Sequence, residues 1–514
     1  MQVRTISWRT LPFAVECSQQ QLTATTAALF DALFGRSHCA AFLDNADFGA
    51  SNSHPNSRAT APAPDPIAIL ASADGPHGFR LQPPEHELEN KELGQVFDQM
   101  RSALYGTADS EPPLQIPEDV PCEFALGIVG ALPYNPGDQP SALMFADRAA
   151  VVDLAARQVH LLAIVEQAPE TATPTSTDAN HAWLDEAERI VQDVDDETRS
   201  LAQFPSNQDP GHRNPANPST QPTVCQHSVP QRTPPLPGAQ FRFDQAHDEY
   251  LRSINRALEY IAMGDSYEVC LTNTATGPAL PDPWRAYLRL RQVSPVPYAA
   301  YLKFPGVHIL SASPERFLRV DAKGGVQTKP IKGTRPRAAT AEGDEALRRE
   351  LQRNPKDRAE NLMIVDLLRN DLNRVCAPAS VHAPRVFEVE SYSHVHQLVS
   401  TVSGELAAGS TAVDCVEAAF PGGSMTGAPK IRTMEIIDEL ERRPRGFYSG
   451  AIGWLSPNGA ANLSIVIRTV VASAEQTTFG VGGAIVADSD PEAEWEEILV
   501  KASALLEALG AQLA

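Results

Sequence analysis

Two pairs of acidic residues have the spacing of candidate metal ligands. Asp357 and Glu360 lie three positions apart in a strongly helical run, and Glu494 and Glu497 repeat that spacing near the end of the sequence. Residues three apart share one face of a helix, so each pair would present two carboxylates side by side. Mg²⁺ binds one or two carboxylates together with waters and a substrate oxygen, which makes both pairs candidate magnesium ligands. Either pair alone is more typical of a solvated acidic face, so the spacing does not decide between the two interpretations.

A glycine-rich segment could bind an anion. It runs from Phe420 to Lys430 and reads FPGGSMTGAPK, with Pro429 suited to the first position of a helix. Free amides at a helix start attract anions, and the hydroxyls of Ser424 and Thr426 add two donors. An ordinary glycine-rich loop followed by a helix is the alternative interpretation.

The third group of candidate residues is basic. Lys332 lies in the segment TKPIKGTR at 328–335, and Arg468 lies between apolar neighbours in a strand-like run. An unpaired guanidinium among apolar residues is costly, so Arg468 should have an anionic partner. A bound anion and a structural salt bridge would both meet that need.

Three stretches of the chain would position these residues. Residues 1–204 form a strand-rich region with one packing helix, 205–238 have the composition of a flexible linker, and 239–514 mix helical and strand patterns. The third stretch begins with a helix that should end at Gly264, followed by a strand over Tyr267–Thr272. Because no βαβ rhythm recurs, the pattern predicts an α+β fold of sheets layered with helices.

The composition narrows the classes of partner. The 514 residues carry a formal charge of −22, which disfavours nucleic acid and anionic membranes because both require a basic surface. No apolar run reaches membrane-spanning length and the first residues lack a signal-peptide pattern, so we expect a cytoplasmic protein. The seven cysteines are scattered without CxxC spacing, which argues against a disulfide framework and against a zinc site.

Several motifs in a fixed order resemble the chorismate-utilising enzymes, a family that includes anthranilate, aminodeoxychorismate, isochorismate and salicylate synthases. The likeness extends from about residue 243 onward. It is carried by the segments SPERF at 313–317, PIKGTR at 330–335, DRAEN at 357–361, LLRND at 367–371, the glycine-rich segment and IVAD at 485–488. The resemblance implies an α+β fold of layered antiparallel β-sheets flanked by helices, with chorismate bound by the region 239–514.

The same resemblance implies roles for the acidic residues. Glu360 and Glu497 would ligate Mg²⁺, supported by Asp357 and Glu494, and the ion would hold the ring carboxylate of chorismate. Glu315 would be the general acid for the departing C4 hydroxyl, because hydroxide is a poor leaving group unless it is protonated.

Other residues would contact chorismate itself. Tyr448 and Arg468 would bind the enolpyruvyl carboxylate. Backbone or hydroxyl contacts are implied for Gly333, Thr334, Ser424 and Gly482.

Lys332 selects a branch of the family. Members that make 4-amino-4-deoxychorismate have PIKGT here, whereas anthranilate synthases have Ala in place of the lysine. By resemblance, the Lys332 amine adds at C2 as the C4 hydroxyl leaves, and ammonia then adds at C4 and expels the amine. This role requires a neutral amine, which burial and the nearby cations Lys329 and Arg335 should favour. A lysine that pairs with a carboxylate is the alternative interpretation.

Four positions depart from the common family pattern. Glu268 stands where many aminating members have Gln and the water-adding members have Lys, which argues against isochorismate or salicylate synthesis. Gln397 stands where many members have His, and the adjacent His396 would point elsewhere on a strand. Ala484 replaces a frequent Gly, and Asp357 replaces a Glu found in some relatives.

The source of ammonia is implied by a missing motif. The sequence has no GxCxG nucleophile turn of a glutaminase, so a separate glutaminase subunit is expected to supply ammonia. The product would feed 4-aminobenzoate and folate synthesis. Two alternatives stay open, namely anthranilate synthase component I and a non-catalytic chorismate-binding or glutaminase-activating protein. The presence of Glu315, Lys332 and the four acidic residues argues against the second.

Overall fold

The computed structural model describes most of the chain in several ranges. These are residues 3–14, 18–44, 67–81, 92–106, 114–135, 139–167, 179–202, 234–392 and 395–514. Of the predicted linker, residues 205–233 lie outside the described residues.

The described ranges contain ten α-helices and twenty-three β-strands. The helices are α1 (Gln19–Phe34), α2 (Glu92–Tyr105), α3 (Ala179–Ala202), α4 (His247–Met263), α5 (Pro283–Val293), α6 (Ala341–Arg353), α7 (Pro355–Asn373), α8 (Ala412–Ala419), α9 (Lys430–Glu441) and α10 (Pro491–Leu509).

The strands are β1 (Val3–Pro12), β2 (Ala40–Asp44), β3 (Ile67–Ser72), β4 (Phe79–Leu81), β5 (Gly127–Leu132), β6 (Ala142–Ala146), β7 (Arg148–Asp153), β8 (Gln158–Gln167), β9 (Gln240–Phe243), β10 (Glu268–Pro278), β11 (Tyr298–Phe304), β12 (Val307–Ser313), β13 (Arg316–Val320), β14 (Gly325–Lys329), β15 (Ile331–Pro336), β16 (His382–Ser391), β17 (Val395–Glu405), β18 (Gly427–Ala428), β19 (Ala451–Leu455), β20 (Ala461–Ile465), β21 (Thr469–Ala472), β22 (Gln476–Ile485) and β23 (Gln512–Leu513). A short 3₁₀ helix spans Gly423–Met425.

The described strands form two sheets. The larger sheet has the order β1-β8-β7-β3-β2-β11-β12-β21-β22-β10-β9-β23, and β18 also pairs with β10. The smaller sheet has the order β15-β17-β14-β13-β20-β19-β5-β6-β4, and β16 also pairs with β17. Neighbouring strands are antiparallel except β9 and β23, which are parallel. The predicted α+β fold of layered antiparallel sheets flanked by helices is confirmed. Both sheets combine strands from residues 1–204 with strands from 239–514.

Alternating side chains place the larger sheet between two hydrophobic cores. In β2 and β12, Ala41 and Ile309 belong to a cluster shared with the smaller sheet, whereas Phe42 and Leu310 belong to a cluster shared with helices. Successive residues of a strand point to opposite faces, so one strand serves both cores. The helix cluster includes residues of α1, α3, α4, α5, α9 and α10. Helices, the larger sheet and the smaller sheet therefore follow one another in layers, and α2, α7 and α8 contribute residues to the cluster on the side of the smaller sheet.

Three expectations about where elements begin or end can be compared with the structure. The predicted helix is α4, and it ends at Gly264, whose φ of 83° is the left-handed conformation typical of a helix C-cap. The predicted strand at 267–272 is the start of β10. The glycine-rich segment differs slightly from expectation, because Pro429 precedes the first turn as the N-cap residue and α9 begins at Lys430.

Among the described helices, none combines the length and apolar content that crossing a membrane requires.

Two crossings of the chain between the sheets position the centre of the site. Glu315 lies on the crossing from β12 to β13, and Arg468 lies on the crossing from β20 to β21. The backbone N–H of Ile465 donates to the Glu315 carbonyl at 3.1 Å, and the N–H of Ala312 donates to the Arg468 carbonyl at 3.0 Å. These bonds hold the two crossings side by side.

A buried ion pair joins α5, in residues 239–514, to β2, in residues 1–204. It offers a test of how these two parts of the chain stabilise each other. Arg291 bonds Asp44 through Nε, and its Nη1 donates to the Thr23 carbonyl at 3.0 Å. Arg291→Met would leave the Asp44 carboxylate buried without its cation, so we expect the free energy of unfolding to fall by roughly 3–5 kcal/mol.

The measurement is urea unfolding followed by circular dichroism. The control is Arg285→Met on the same helix, where a partly exposed pair with Asp282 should contribute less than about 1 kcal/mol. Equal stability of the two variants would contradict the prediction.

Candidate active site

An ion pair joins the two sheets at the predicted site. Lys332 lies on β15 of the smaller sheet and Glu268 on β10 of the larger sheet, and Lys332 Nζ donates to Glu268 Oε1 at 2.6 Å. The two side chains are 11% and 1% exposed, so water hardly reaches the pair. Glu268 Oε2 is buried and has no hydrogen-bond partner among the described residues.

The charge state of Lys332 follows from this environment. Burial lowers the pKa of Lys332, but the carboxylates of Glu268 and Glu360 outweigh that effect and the net shift is upward. The expectation that Lys329 and Arg335 would favour a neutral amine is wrong. The contact is instead that of a carboxylate-paired lysine, and a lysine ammonium group can act as a nucleophile only after it gives up a proton.

The two expected cationic neighbours are engaged elsewhere. Lys329 Nζ donates to Glu390 Oε1 at 2.8 Å. Arg335 binds Glu350 through Nε at 2.6 Å and Asp357 through Nη2 at 3.0 Å. Both cations therefore have carboxylate partners of their own and do not oppose the charge of Lys332.

Glu315 has the properties of a general acid. Its side chain is buried on the crossing after β12, close to Ser424 of the 3₁₀ helix. Burial raises the pKa of Glu315 to about 7, although a hydrogen bond from Ser424 and the charge of Lys332 oppose the shift. A carboxyl group with this pKa can donate a proton near neutral pH.

A lysine lies between the two acidic pairs and contacts one carboxylate of each. Lys356 Nζ lies 3.9 Å from Glu360 Oε1 on α7 and 3.8 Å from Glu494 Oε1 on α10. The Lys356 side chain is 53% exposed, so it reaches these carboxylates from the solvent side. Within the described part of the chain, no three His, Cys, Asp or Glu side chains are already grouped as a metal site.

The acidic residues differ in their surroundings. Burial raises the pKa of Glu360 to about 7 and also raises the pKa of Glu494, which accepts a hydrogen bond from Ser489 at 2.7 Å. Glu497 is 49% exposed, and its Oε1 lies 2.6 Å from Lys501 Nζ. Partial burial raises the pKa of Glu497, but Lys501 outweighs it and the net shift is downward.

Asp357 faces strand β15. It pairs with Arg335, and it lies beneath Gly333, where an added Cβ would come within 2.7 Å of the Asp357 carboxyl carbon. Gly333 also has a φ of 84°, a backbone conformation that residues with a side chain rarely adopt. Asp357 therefore supports the backbone next to Lys332.

Arg468 is a cation available for an anionic ligand. Burial lowers the pKa of Arg468, with Tyr448 and Glu497 as its main electrostatic neighbours. The described residues form no ion pair with its guanidinium, so the structural salt bridge considered from the sequence is not found among them. Tyr448 is buried beside it. A carboxylate of a ligand could satisfy both groups.

The remaining predicted contacts are spread around this region. Thr334 is exposed and lies opposite Gln397 of β17, and the Oε1 atom of Gln397 is buried without a described partner. Gly482 lies on β22, and its carbonyl accepts a hydrogen bond from Lys501 at 2.7 Å. His396 bonds Asp344 and points away, as expected.

The sequence analysis did not identify Lys356 as a partner of Glu360, or Glu268 as a partner of Lys332. Lys356 precedes Glu360 by one helical turn, a spacing that could have indicated the contact. Glu268 was noted only as a departure from the family pattern, because nothing in the sequence relates β10 to β15.

A cavity of about 300 Å³ lies in a different place between the sheets. Its polar lining comes from Asp44, Cys122, Glu123, Tyr298, Arg319, Asn462 and Ser464. No residue predicted for the site lines this cavity.

Known proteins resemble this chain in sequence and in fold. An aminodeoxychorismate synthase of Streptomyces pristinaespiralis is 45% identical over 433 residues, which are 82% of this chain and 55% of that protein. The aminodeoxychorismate synthase component 1 of Klebsiella aerogenes is 45% identical over 269 residues, which are 52% of this chain and 59% of that protein. The chain thus spans little more than half the length of these relatives.

The fold has counterparts among solved structures. The crystal structure of anthranilate synthase component I from Streptococcus pneumoniae TIGR4 matches with a TM-score of 0.63 over 88% of this chain and 95% of that one, at 24% sequence identity. The family model of the chorismate binding enzymes matches residues 79–507. This match covers every strand of the smaller sheet and every residue predicted for the site, and the chain belongs to the family of chorismate binding enzymes.

Proposed function

We propose that this chain aminates chorismate at C4 with ammonia to give 4-amino-4-deoxychorismate, a precursor of 4-aminobenzoate for folate. The observation that carries the proposal is the buried amine of Lys332, the proposed nucleophile. Its electrostatic neighbours include Glu315, the proposed general acid, and the carboxylate of Glu360. The names of the two relatives support the same reaction.

The reaction assigns one task to each side chain. Arg468 and Tyr448 hold a substrate carboxylate, and Glu315 protonates the C4 hydroxyl as it leaves. Lys332 adds at C2 during that departure, and ammonia at C4 then displaces the amine. Dividing one difficult substitution into two covalent steps lowers the barrier to each.

The carboxylates of α7 and α10 fit a magnesium ion. Glu360, Glu494 and Glu497 offer hard oxygen donors, and the Lys356 ammonium within 3.9 Å of two carboxylates marks a position where positive charge is stabilised. When bound, Mg²⁺ would neutralise the ring carboxylate of chorismate and draw electron density from the ring. Glu360 and Glu497 would hold the ion, and Glu494 and Asp357 would orient the site.

Ammonia is proposed to come from a separate glutaminase subunit. The name of the Klebsiella aerogenes relative, component 1, supports the existence of a second component. Free ammonium ions should replace that subunit in vitro.

The defining experiment is an ammonium-driven assay with chorismate and Mg²⁺, with product identification by mass spectrometry. The proposed reaction keeps the enolpyruvyl group, whereas an anthranilate synthase would release pyruvate and fluorescent anthranilate. Anthranilate with pyruvate would overturn the proposal, and binding of chorismate without turnover would indicate a non-catalytic protein.

Replacing Lys332 separates chemistry from binding. We expect Lys332→Ala to lower ammonium-driven turnover by roughly a hundredfold or more while chorismate affinity changes by less than about threefold. Turnover and calorimetric affinity are measured for the variant and for Lys329→Ala, a control whose amine pairs with Glu390. Slow anthranilate formation by Lys332→Ala would agree with the proposal. Unchanged 4-amino-4-deoxychorismate production would leave Lys332 with only an electrostatic role.

The magnesium site is tested by single carboxylate replacements. Glu360→Gln or Glu497→Gln should abolish magnesium-dependent turnover. The fold should persist because glutamine keeps the size of the side chain, burial already raises the pKa of Glu360 to about 7, and Glu497 is 49% exposed. Magnesium titrations of turnover and of heat released on binding provide the measurement. Glu496→Gln, on the exposed face of α10, is the control and should behave as wild type. Wild-type magnesium dependence in either site variant would refute the metal site.

The general-acid role of Glu315 predicts a pH dependence. Because burial raises the pKa of Glu315 to about 7, the protonated acid is present below that pH and is lost above it. At saturating chorismate and a constant concentration of free ammonia, turnover should fall as the pH rises through about 7. Glu315→Gln should be slow and should lack this limb. A turnover that rises through the same range would contradict the assignment.

A further inference from the structure

We infer that Glu268 is a positioning residue that orients the Lys332 amine and accepts its proton as the amine attacks chorismate. The inference rests on the proposed function. It assigns a role to the residue that stands where many aminating relatives have glutamine.

The first observation is the contact between the two side chains. Glu268 Oε1 lies 2.6 Å from Lys332 Nζ, a short charge-assisted hydrogen bond between strands of different sheets. A lysine side chain is long and flexible, so a fixed acceptor restricts where the nitrogen lies.

The second observation is the second oxygen of the same carboxylate. Glu268 is 1% exposed, and Oε2 has no hydrogen-bond partner among the described residues. A buried carboxylate oxygen without a donor is costly, and it leaves this carboxyl group able to take up a proton.

The third observation is the rigid backbone that carries Glu268. The Glu268 carbonyl accepts a hydrogen bond from Ser266 Oγ at 2.9 Å, and β10 pairs there with β18. A Cβ on Gly427 would come within 2.0 Å of the same carbonyl, and the φ of 153° at Gly427 also requires glycine. Pairing and close approach thus hold the carboxylate in place for Lys332.

Other charged and titratable groups also face the Lys332 amine. They are Cys270 on β10, Glu360 on α7, Glu315 after β12 and Glu497 on α10. Within the described ranges, Glu268 alone accepts a hydrogen bond from Nζ. It is therefore the group in position to receive the proton directly.

The proposed step balances as follows. A proton passes from Lys332 Nζ to a Glu268 oxygen, which leaves a neutral amine beside a neutral carboxyl group. The nitrogen lone pair forms a bond to C2, the two ring double bonds shift, the C4–O bond breaks, and the oxygen leaves as water with a proton from Glu315. Ammonia then adds at C4, the C2–N bond breaks, and the C4 ammonium returns a proton to Glu315. The freed Lys332 amine regains its proton from Glu268.

The experiment compares two replacements that separate proton acceptance from shape. Glu268→Gln keeps the size and a hydrogen-bond acceptor but cannot take the proton, whereas Glu268→Asp keeps the carboxylate and is shorter by one methylene. The matched control is Glu390→Gln, which alters a separate lysine–carboxylate pair of the smaller sheet, at Lys329. Readouts are kcat and KM with ammonium, and the rate at which chorismate less one water becomes attached to Lys332 without ammonium, measured by mass spectrometry of quenched enzyme.

We expect Glu268→Gln to lower kcat and the rate of attachment by roughly a hundredfold, with KM within about threefold of wild type. Glu268→Asp should recover part of that loss, and Glu390→Gln should stay near wild type. A Gln variant as fast as wild type, or faster than the Asp variant, would overturn the inference and leave the proposed function intact. A wild-type enzyme that forms neither the attachment nor 4-amino-4-deoxychorismate would overturn both.

Discussion

The contact between Lys332 and Glu268 is the constraint on which the site depends. Removing two opposite charges from water costs several kcal/mol for each ion, and only a close, well-oriented pairing offsets that cost. The two residues belong to different sheets, so their 2.6 Å separation requires β10 and β15 to be held in one arrangement. The hydrophobic cluster between the sheets supplies that arrangement.

The rest of the site surrounds this pair with alternating charges. Lys356 lies between carboxylates of α7 and α10, and Lys501 pairs with Glu497. Glu315 and Glu360 lie where burial raises their pKa to about 7, so neither needs a full cationic partner at neutral pH. In a chain of net charge −22, Lys332, Lys356 and Lys501 thus provide local positive charge beside these carboxylates.

Arg468 differs from Lys332, Lys356 and Lys501 because the described residues leave its guanidinium without an ion pair. Its position follows from the two chain crossings between the sheets, which are joined through the backbone at Glu315 and Arg468. Glu315 and Arg468 are therefore held by the same pair of connections between the sheets. The described strands of residues 1–204 contain none of the residues predicted for the site, yet they extend both sheets, so the scaffold depends on them.

The sequence by itself determined the local parts of this protein. Helical periodicity and Gly264 defined α4, and the spacing of the acidic residues placed each pair on one helix, because these features depend on neighbours within one or two turns. Ordered motifs also identified the family, and the roles of the site residues stay predictions that follow from that resemblance. The tertiary structure alone decided the contact between Lys332 and Glu268, which are 64 positions apart. It also reversed the expected charge state of Lys332, because a pKa depends on the charges that the packing of two sheets brings within a few ångströms.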